Sequence, residues 1–353
     1  MAKKILLTGG GTAGHVTPNL ALIPYLQEEG WEIEYMGSKE GIEKVLMAEA
    51  GIPYHGIATG KLRRYISKEN LKDMFRVAKG VAEAQKEIRK IKPDLVFSKG
   101  GFVAVPVVLG AKANGIPVII HESDLTPGLA NKIAIPAAKV VCTTFPETLD
   151  YIPKNKGVHV GSPIRKELFL GNRQTGLGLC GFTGEKPVLL MMGGSMGAVK
   201  LNLCLRSVLP ELLKTFDVIH LCGKGHVSEE LQVLQGYKQF AYVSDELADL
   251  FAATDLIVSR AGSNSIFEFL ALEKPHLLIP LSKKASRGDQ ILNANSFQKQ
   301  GFAKVLEEEE MTGETFLSNV MDLYANRVEY VEQMQKSQMT NGTERILQEF
   351  HKI

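Results

Sequence analysis

The chain has 353 residues, of which 44% are hydrophobic and 23% charged. At about 150 residues per domain this suggests two domains, and the composition excludes a disordered or collagen-like chain. The net charge of +2 hides an asymmetry, because residues 61–92 hold 11 Lys and Arg against 4 Asp and Glu. That stretch favours attraction of the first half of the chain to something anionic. No run of 18 apolar residues occurs, so no transmembrane helix is expected. The first apolar run stops at Leu7, too short for a signal peptide. Cys142, Cys180, Cys204 and Cys222 show no CxxC spacing, which points to reduced thiols.

Short apolar runs alternate with amphipathic stretches, the pattern of an α/β protein with parallel sheets. Lys4–Thr8 reads as a strand that ends in glycines, Thr17–Glu29 as a helix and Glu32–Met36 as a second strand. Asn70–Ile91 reads as a long helix. Leu71, Met74, Phe75, Ala78, Ala82, Ile88 and Ile91 fall near helical spacing there, as a core-facing stripe. Strands follow at Asp94–Ser98, Val118–His121 and Val140–Thr143. After Gly161-Ser162-Pro163 a second series opens with a strand at Val188–Met192 and a helix at Leu201–Phe216. Its later strands are Val218–Cys222, Leu256–Ser259 and His276–Pro280. A last helix spans about Arg327–Phe350 and could pack on either half. The expected domains are residues 1–163 and 164–353, both Rossmann-like.

Each half begins with a strand, a glycine loop and a helix. Gly9–Gly14 satisfies G-x-G-x-x-G, and Gly193–Ala198 is the second such loop. Free N–H groups and the helix dipole favour an anion at such a turn. A dinucleotide site also wants an acid at the end of the second strand. That strand ends instead in Gly37-Ser38-Lys39, which weakens an NAD reading and leaves NADP to Lys39. Ser98-Lys99-Gly100-Gly101-Phe102 is a third glycine turn after a strand.

Several polar residues follow strand ends. His15 closes the first loop and could act as a base near neutral pH, or simply cap and pack. In His121-Glu122-Ser123-Asp124 the acids could orient a substrate or cap a helix. Arg165 could clamp a phosphate or lie on the surface. Ser259–Ser265 leads into a helix with Glu268, whose carboxylate could accept two ribose hydroxyls. Gln290 could bond a sugar hydroxyl. No Asp-x-Asp, GxxxxGK[ST] or HExxH occurs, which weakens any metal-held diphosphate mechanism.

Taken together, the motifs resemble the MurG family of glycosyltransferases of peptidoglycan synthesis over nearly the whole chain. The matching segments include Gly10–His15, Lys99–Phe102, His121-Glu122, Pro127–Asn131, Gly161–Arg165, Gly193–Ala198, Ser259–Gly262, Glu268 and Asp289-Gln290. The resemblance implies a GT-B fold of two Rossmann-like domains facing across a cleft. It implies inverting, metal-independent transfer of GlcNAc from UDP-GlcNAc to the 4-hydroxyl of MurNAc in lipid I, giving lipid II, with no cofactor. Carried over by position, Arg165, Ser195, Glu268 and Gln290 bind the donor, and Val243 meets the uracil through its backbone. Thr12, Ala13 and Gly14 face the reacting sugar and the acceptor diphosphate, and His15 is the active-site histidine. Asp124 stands where the family often has Asn, and Ala13 where it often has Gly. The first domain would serve the acceptor and the membrane, and the second the donor. A lipid acceptor implies peripheral binding to the cytoplasmic leaflet, with Lys61–Lys92 as the anionic-lipid surface acting through charge. No nucleic-acid recognition module is found. A UDP-sugar transferase of the same fold that adds sugar to diacylglycerol, a UDP-GlcNAc 2-epimerase, an NADP oxidoreductase and a sugar-nucleotide sensor are the rival readings.

Overall fold

The structure, a computed structural model, describes residues 3–60, 68–194, 197–283, 286–337 and 341–353, leaving aside the side chains of 68–74. The chain forms two compact units, Met1–Arg165 with Asn341–Ile353, and Lys166–Thr340.

The first unit runs β1 (Lys4–Thr8), α1 (Thr17–Glu28), β2 (Glu32–Ser38), α2 (Ile42–Glu49), β3 (Tyr54–Ile57) and α3 (Lys68–Ile91). It continues with β4 (Leu95–Ser98), α4 (Ala104–Ala113), β5 (Val118–Glu122), α5 (Leu129–Ala134), β6 (Val140–Thr143) and β7 (Gly157–His159). Its seven strands lie in the order β3-β2-β1-β4-β5-β6-β7. All pair in parallel. Parallel strands bury both faces, which explains why Ile5, Leu6 and Leu7 are all fully buried. Leu6, Met36 and Val96 join one apolar layer, while Ile5, Leu7 and Phe97 join the other.

The second unit holds α6 (Arg173–Cys180), β8 (Val188–Met192), α7 (Val199–Ser207), α8 (Leu209–Thr215), β9 (Asp217–Leu221), β10 (Tyr237–Phe240) and α9 (Leu247–Ala253). Then come β11 (Leu256–Ser259), α10 (Ser263–Ala271), β12 (His276–Leu278), α11 (Asp289–Lys299), β13 (Ala303–Val305), α12 (Gly313–Ala325) and α13 (Arg327–Gln335). Its strand order is β10-β9-β8-β11-β12-β13, again all parallel.

Three expectations about helices change. The helix expected over Leu201–Phe216 is two, α7 and α8. Pro210 has no N–H to continue the first, but it suits the opening turn of the second. The last helix is also two. α13 belongs to the second unit, whereas α14 (Thr343–His351) belongs to the first. Gly342 anchors that return: its N–H donates to the Ser162 carbonyl at 2.7 Å, and a Cβ there would lie 2.7 Å from the Gly161 carbonyl carbon. In α3 the expected core stripe holds only at Ile88 and Ile91, which are buried together with Ala84, whereas Ala78 and Ala82 are exposed. Phe75 is 70% exposed. The helix closes on the unit from Gly80 onward, where a Cβ would sit 2.0 Å from the Ala58 carbonyl oxygen. Leu71 and Met74 fall among the side chains that are not described.

α14 fills the first unit's core. Ile346, Leu347 and Phe350 join the cluster of Trp31, Leu95 and Phe97. Phe350 is fully buried and meets Phe97 edge-on, with ring centroids 4.9 Å apart. Phe350→Ala should therefore cost about 3–5 kcal/mol. Trp31 is the chain's single tryptophan and lies in the same cluster, so its fluorescence in a urea titration reads this unit. An unshifted midpoint would show that α14 does not support the core.

Candidate active site

In each sheet the chain reverses its direction of strand addition at one place, between β1 and β4 and between β8 and β11. The crossovers that follow the two flanking strands run to opposite sides there and leave a crevice at the strand ends, the usual ligand position in such sheets.

In the first unit the loops after β1 and β4 meet. A Cβ on Gly101 would fall 2.3 Å from the Gly10 carbonyl oxygen, so only glycine lets the two turns touch. Gly101 and Gly11 both have positive φ, +79° and +84°. Beside them lies a cavity of about 950 Å³, whose walls include Gly11, Thr12, His15, Phe102, Arg76 and Lys79. Thr12 precedes a single helical turn, Ala13–His15. Its hydroxyl lies 2.9 Å from His15 Nδ1, which fixes the orientation of the ring. The structure thus places Thr12, Ala13, Gly14 and His15 on one turn beside the cavity.

Next to this turn lies a buried polar group. Lys99 follows β4 directly and is 1% exposed. Its Nζ donates to His121 Nδ1 at 2.5 Å and to Ser123 Oγ at 2.9 Å. His121 Nε2 in turn donates to the Gly161 carbonyl at 2.9 Å, so the ring is neutral, with its proton on Nε2. Burial, reinforced by Lys99, holds the imidazole well below its ordinary value. Burial also pulls Lys99 down to about 7, partly offset by Glu122. Burial and then Asp124 push Glu122 up to about 7. Glu122 accepts from the Asp124 and Gly128 amides, both at 3.0 Å, and from Asn131 Nδ2 at 2.8 Å. Asp124 is therefore held by its backbone at the end of β5.

In the second unit a cavity of about 590 Å³ lies against Gly193, Gly194, Gly197, Lys200, Arg260 and Gln290. Ser195 and Met196 lie outside the described residues. Gly197 has φ +76°, and a Cβ there would strike the Cys222 carbonyl oxygen at 2.2 Å. The wall carries fixed positive charge. Arg260, just after β11, donates to the Ile279 carbonyl at 3.1 Å and pairs with Glu308. Lys200 Nζ meets the same carboxylate at 2.8 Å. Burial works against the Glu308 charge, but Lys200 and Arg260 outweigh it and hold the carboxyl below its ordinary value. Gln290 opens α11, and its Oε1 accepts from the Leu281 amide at 3.0 Å. Glu268 is buried within α10, and Val243 lies half-buried after β10; neither lines this cavity. Arg165 is half-buried at the end of the first unit's long segment.

The sequence reading assigned no role to Glu43, Lys99, Lys200 or Glu308. For Lys99 the pairing comes from the β4–β5 register of the folded sheet, which sets Ser98 beside Ile120 and so Lys99 beside His121. Glu308 follows β13, far along the chain from both its partners, and had no signal in the sequence. The acid missing from the end of β2 is supplied from α2. Glu43 reaches back to Ser38, accepting from its amide at 3.0 Å and its hydroxyl at 2.5 Å. It also accepts from the Gly11 amide at 3.3 Å. That carboxylate is fully buried and offers nothing to a ribose, so it does not restore the NAD reading.

Between about pH 7 and the ordinary lysine value of 10.5, the unfolded chain holds a proton that folded Lys99 has lost. Stability therefore rises with pH across that window. Below pH 7 the cost of burying the charge stands in full. The melting temperature of the wild type minus that of Lys99→Met should increase from pH 7 to pH 10. A difference that stays flat would show that Lys99 is not a suppressed, buried base.

The chain matches the glycosyltransferase family 28 N-terminal domain over residues 5–143 and the family 28 C-terminal domain over residues 188–350. A UDP-N-acetylglucosamine–N-acetylmuramyl-(pentapeptide) pyrophosphoryl-undecaprenol N-acetylglucosamine transferase of Lachnospira eligens is 59% identical, over 98% of both chains. A transferase of the same name from Clostridium tetani is 57% identical, over 98% of this chain and 97% of its own. Among solved structures, MurG of Acinetobacter baumannii superposes with a TM-score of 0.78 at 28% identity, over 99% of this chain and all of that one. With two Rossmann-like domains and the GT-B fold, the chain belongs to glycosyltransferase family 28, within its MurG branch.

Proposed function

We propose that the chain transfers GlcNAc from UDP-GlcNAc to the 4-hydroxyl of MurNAc in lipid I, with inversion, giving lipid II and UDP. The observation that carries this reading is 59% identity over 98% of both chains to a transferase of that name. The acceptor oxygen attacks the anomeric carbon, the bond from that carbon to the diphosphate oxygen breaks, and its electron pair leaves with UDP. His15 takes the hydroxyl proton, with Thr12 fixing its ring. In the second unit, the amides of the Gly193–Ala198 loop with Lys200 and Arg260 offset the charge that builds on the leaving diphosphate. Arg165, Ser195, Glu268, Gln290 and Val243 complete the donor site in this proposal. Asp124, at the end of β5, meets the donor sugar.

The acceptor requires a membrane surface. No helix among the described residues is long and apolar enough to cross one. The proposed contact is the start of α3 on the cytoplasmic leaflet. There Phe75 is exposed and Arg76 and Lys79 carry positive charge, so an apolar side chain adds to the expected electrostatic attraction.

The direct test is transfer of labelled GlcNAc from UDP-GlcNAc to a lipid I analogue in EDTA. Transfer should persist, because Lys200 and Arg260 supply positive charge at the diphosphate loop. Product formed only with added divalent metal would overturn that part, and no product at all would overturn the function. In the same assay His15→Ala should lower kcat roughly 10²–10⁴-fold. An unchanged kcat would remove His15 as the base. Lys79→Glu combined with Arg76→Glu should weaken binding to anionic vesicles in a salt-dependent way. Binding indifferent to both salt and these changes would place the membrane contact elsewhere.

A further inference from the structure

Glu43 is a fully buried carboxylate in the first turn of an eight-residue helix. A buried charge is costly unless its hydrogen bonds are made. Here three donors converge on it: the Ser38 amide and hydroxyl on Oε1, and the Gly11 amide on Oε2. The loop after β1 and the end of β2 are thus bridged through one side chain.

The surrounding glycines show that the fold makes room for this group. A Cβ on Gly10 would lie 2.6 Å from the Glu43 carboxyl carbon, and one on Gly41 would lie 2.2 Å from its Oε1. At both positions the nearest obstacles are Glu43 atoms alone, and neither glycine has a positive φ. On Gly37 a Cβ would meet Tyr54 Oη at 2.5 Å and Glu43 Cγ at 2.9 Å. Two tyrosines close the surround. Tyr54 donates to the Ser38 carbonyl at 2.5 Å, and Tyr35 donates to the Gly9 carbonyl at 2.7 Å. Gly11 lies directly before Thr12 and four residues before His15, which closes the turn. Gly10, Ser38 and Gly41 also border the same cavity.

We propose that Glu43 is a positioning residue for the transfer reaction: it locks the Gly9–Gly11 loop to the end of β2, and so sets Thr12 and His15 against the acceptor. The lock also takes the Gly11 amide out of use, so an anionic acceptor must be read by the amides beyond it. This inference rests on the transfer reaction proposed above, but its geometric part is independent of it.

Glu43→Gln separates the two links. The amide oxygen can still accept from Ser38, while the amide NH₂ would oppose the Gly11 N–H. With a lipid I analogue, the variant should lose about tenfold to a hundredfold in kcat/KM for the acceptor, since small misplacement costs that much. KM for UDP-GlcNAc should not move, and Trp31 fluorescence should show the first unit folded. Amide hydrogen exchange of the segment spanning residues 8–16 should speed up, while exchange in the second unit stays as in the wild type. Gly41→Ala should be damaging alone and add nothing once residue 43 is alanine.

Exchange and kcat/KM both at wild-type values would overturn the proposal, and so would a loss of UDP-GlcNAc affinity as large as the loss toward the acceptor. If the wild type itself fails to transfer GlcNAc, the function falls, while the exchange experiment still decides the lock. If Glu43→Gln does not fold, Ser38→Ala removes one donor and keeps both backbone bonds. It should show the same selective loss at smaller amplitude, and wild-type behaviour there overturns the inference.

Discussion

Parallel pairing throughout both sheets is the constraint from which the rest follows. Parallel strands cannot be joined by tight hairpins, so each connection crosses over and every strand ends at the same edge. The chemistry-bearing loops have no other place to emerge. Strand order reverses once in each sheet, so the crossovers that follow the two flanking strands run to opposite sides and leave a crevice at the strand ends. Glycines then become necessities of close approach rather than of flexibility. Gly101 against Gly10, and Gly197 against Cys222, are contacts that a single methyl group would break.

The two units treat charge at this edge in opposite ways. In the second, the basic groups are held in place: Glu308 pairs with both Arg260 and Lys200 and keeps them at the cavity wall. That arrangement suits a permanent anion. In the first, burial suppresses charge. Lys99 is drawn toward neutrality, His121 is kept neutral, and Glu122 is raised to about 7. Glu43, a buried carboxylate on α2, is spent on backbone amides and the Ser38 hydroxyl rather than on a ligand. A site that must move a proton at neutral pH gains from neutral, hydrogen-bonded surroundings, whereas a site that must receive a diphosphate gains from fixed cations.

The legible parts of the chain were those with local causes. The Lys4–Thr8 and Val188–Met192 strands, the glycine turns that follow them and the α/β alternation are all written in short windows of sequence. The α3 stripe was half legible. Periodicity finds the helix, but Gly80 and its contact with Ala58 decide where the helix meets the core, which leaves Phe75 outside. α14 was illegible in its destination. Its apolar face is evident from Ile346, Leu347 and Phe350, yet an amphipathic face does not say which core it fills. The Gly342 bond to Ser162 decides that.

By itself the sequence determined the two Rossmann-like halves, their glycine loops, His15 with Thr12 on one turn, and the family. These follow from residues adjacent in the chain, where spacing and geometry are nearly the same thing. Only the tertiary structure decided that Glu43 ties the loop after β1 to the end of β2. The same holds for Lys99 buried against His121, and for Glu308 holding Arg260 and Lys200. Each of these joins residues brought together by sheet order and crossover connections. What they do depends on desolvation and on distances of about 3 Å, which local sequence does not encode.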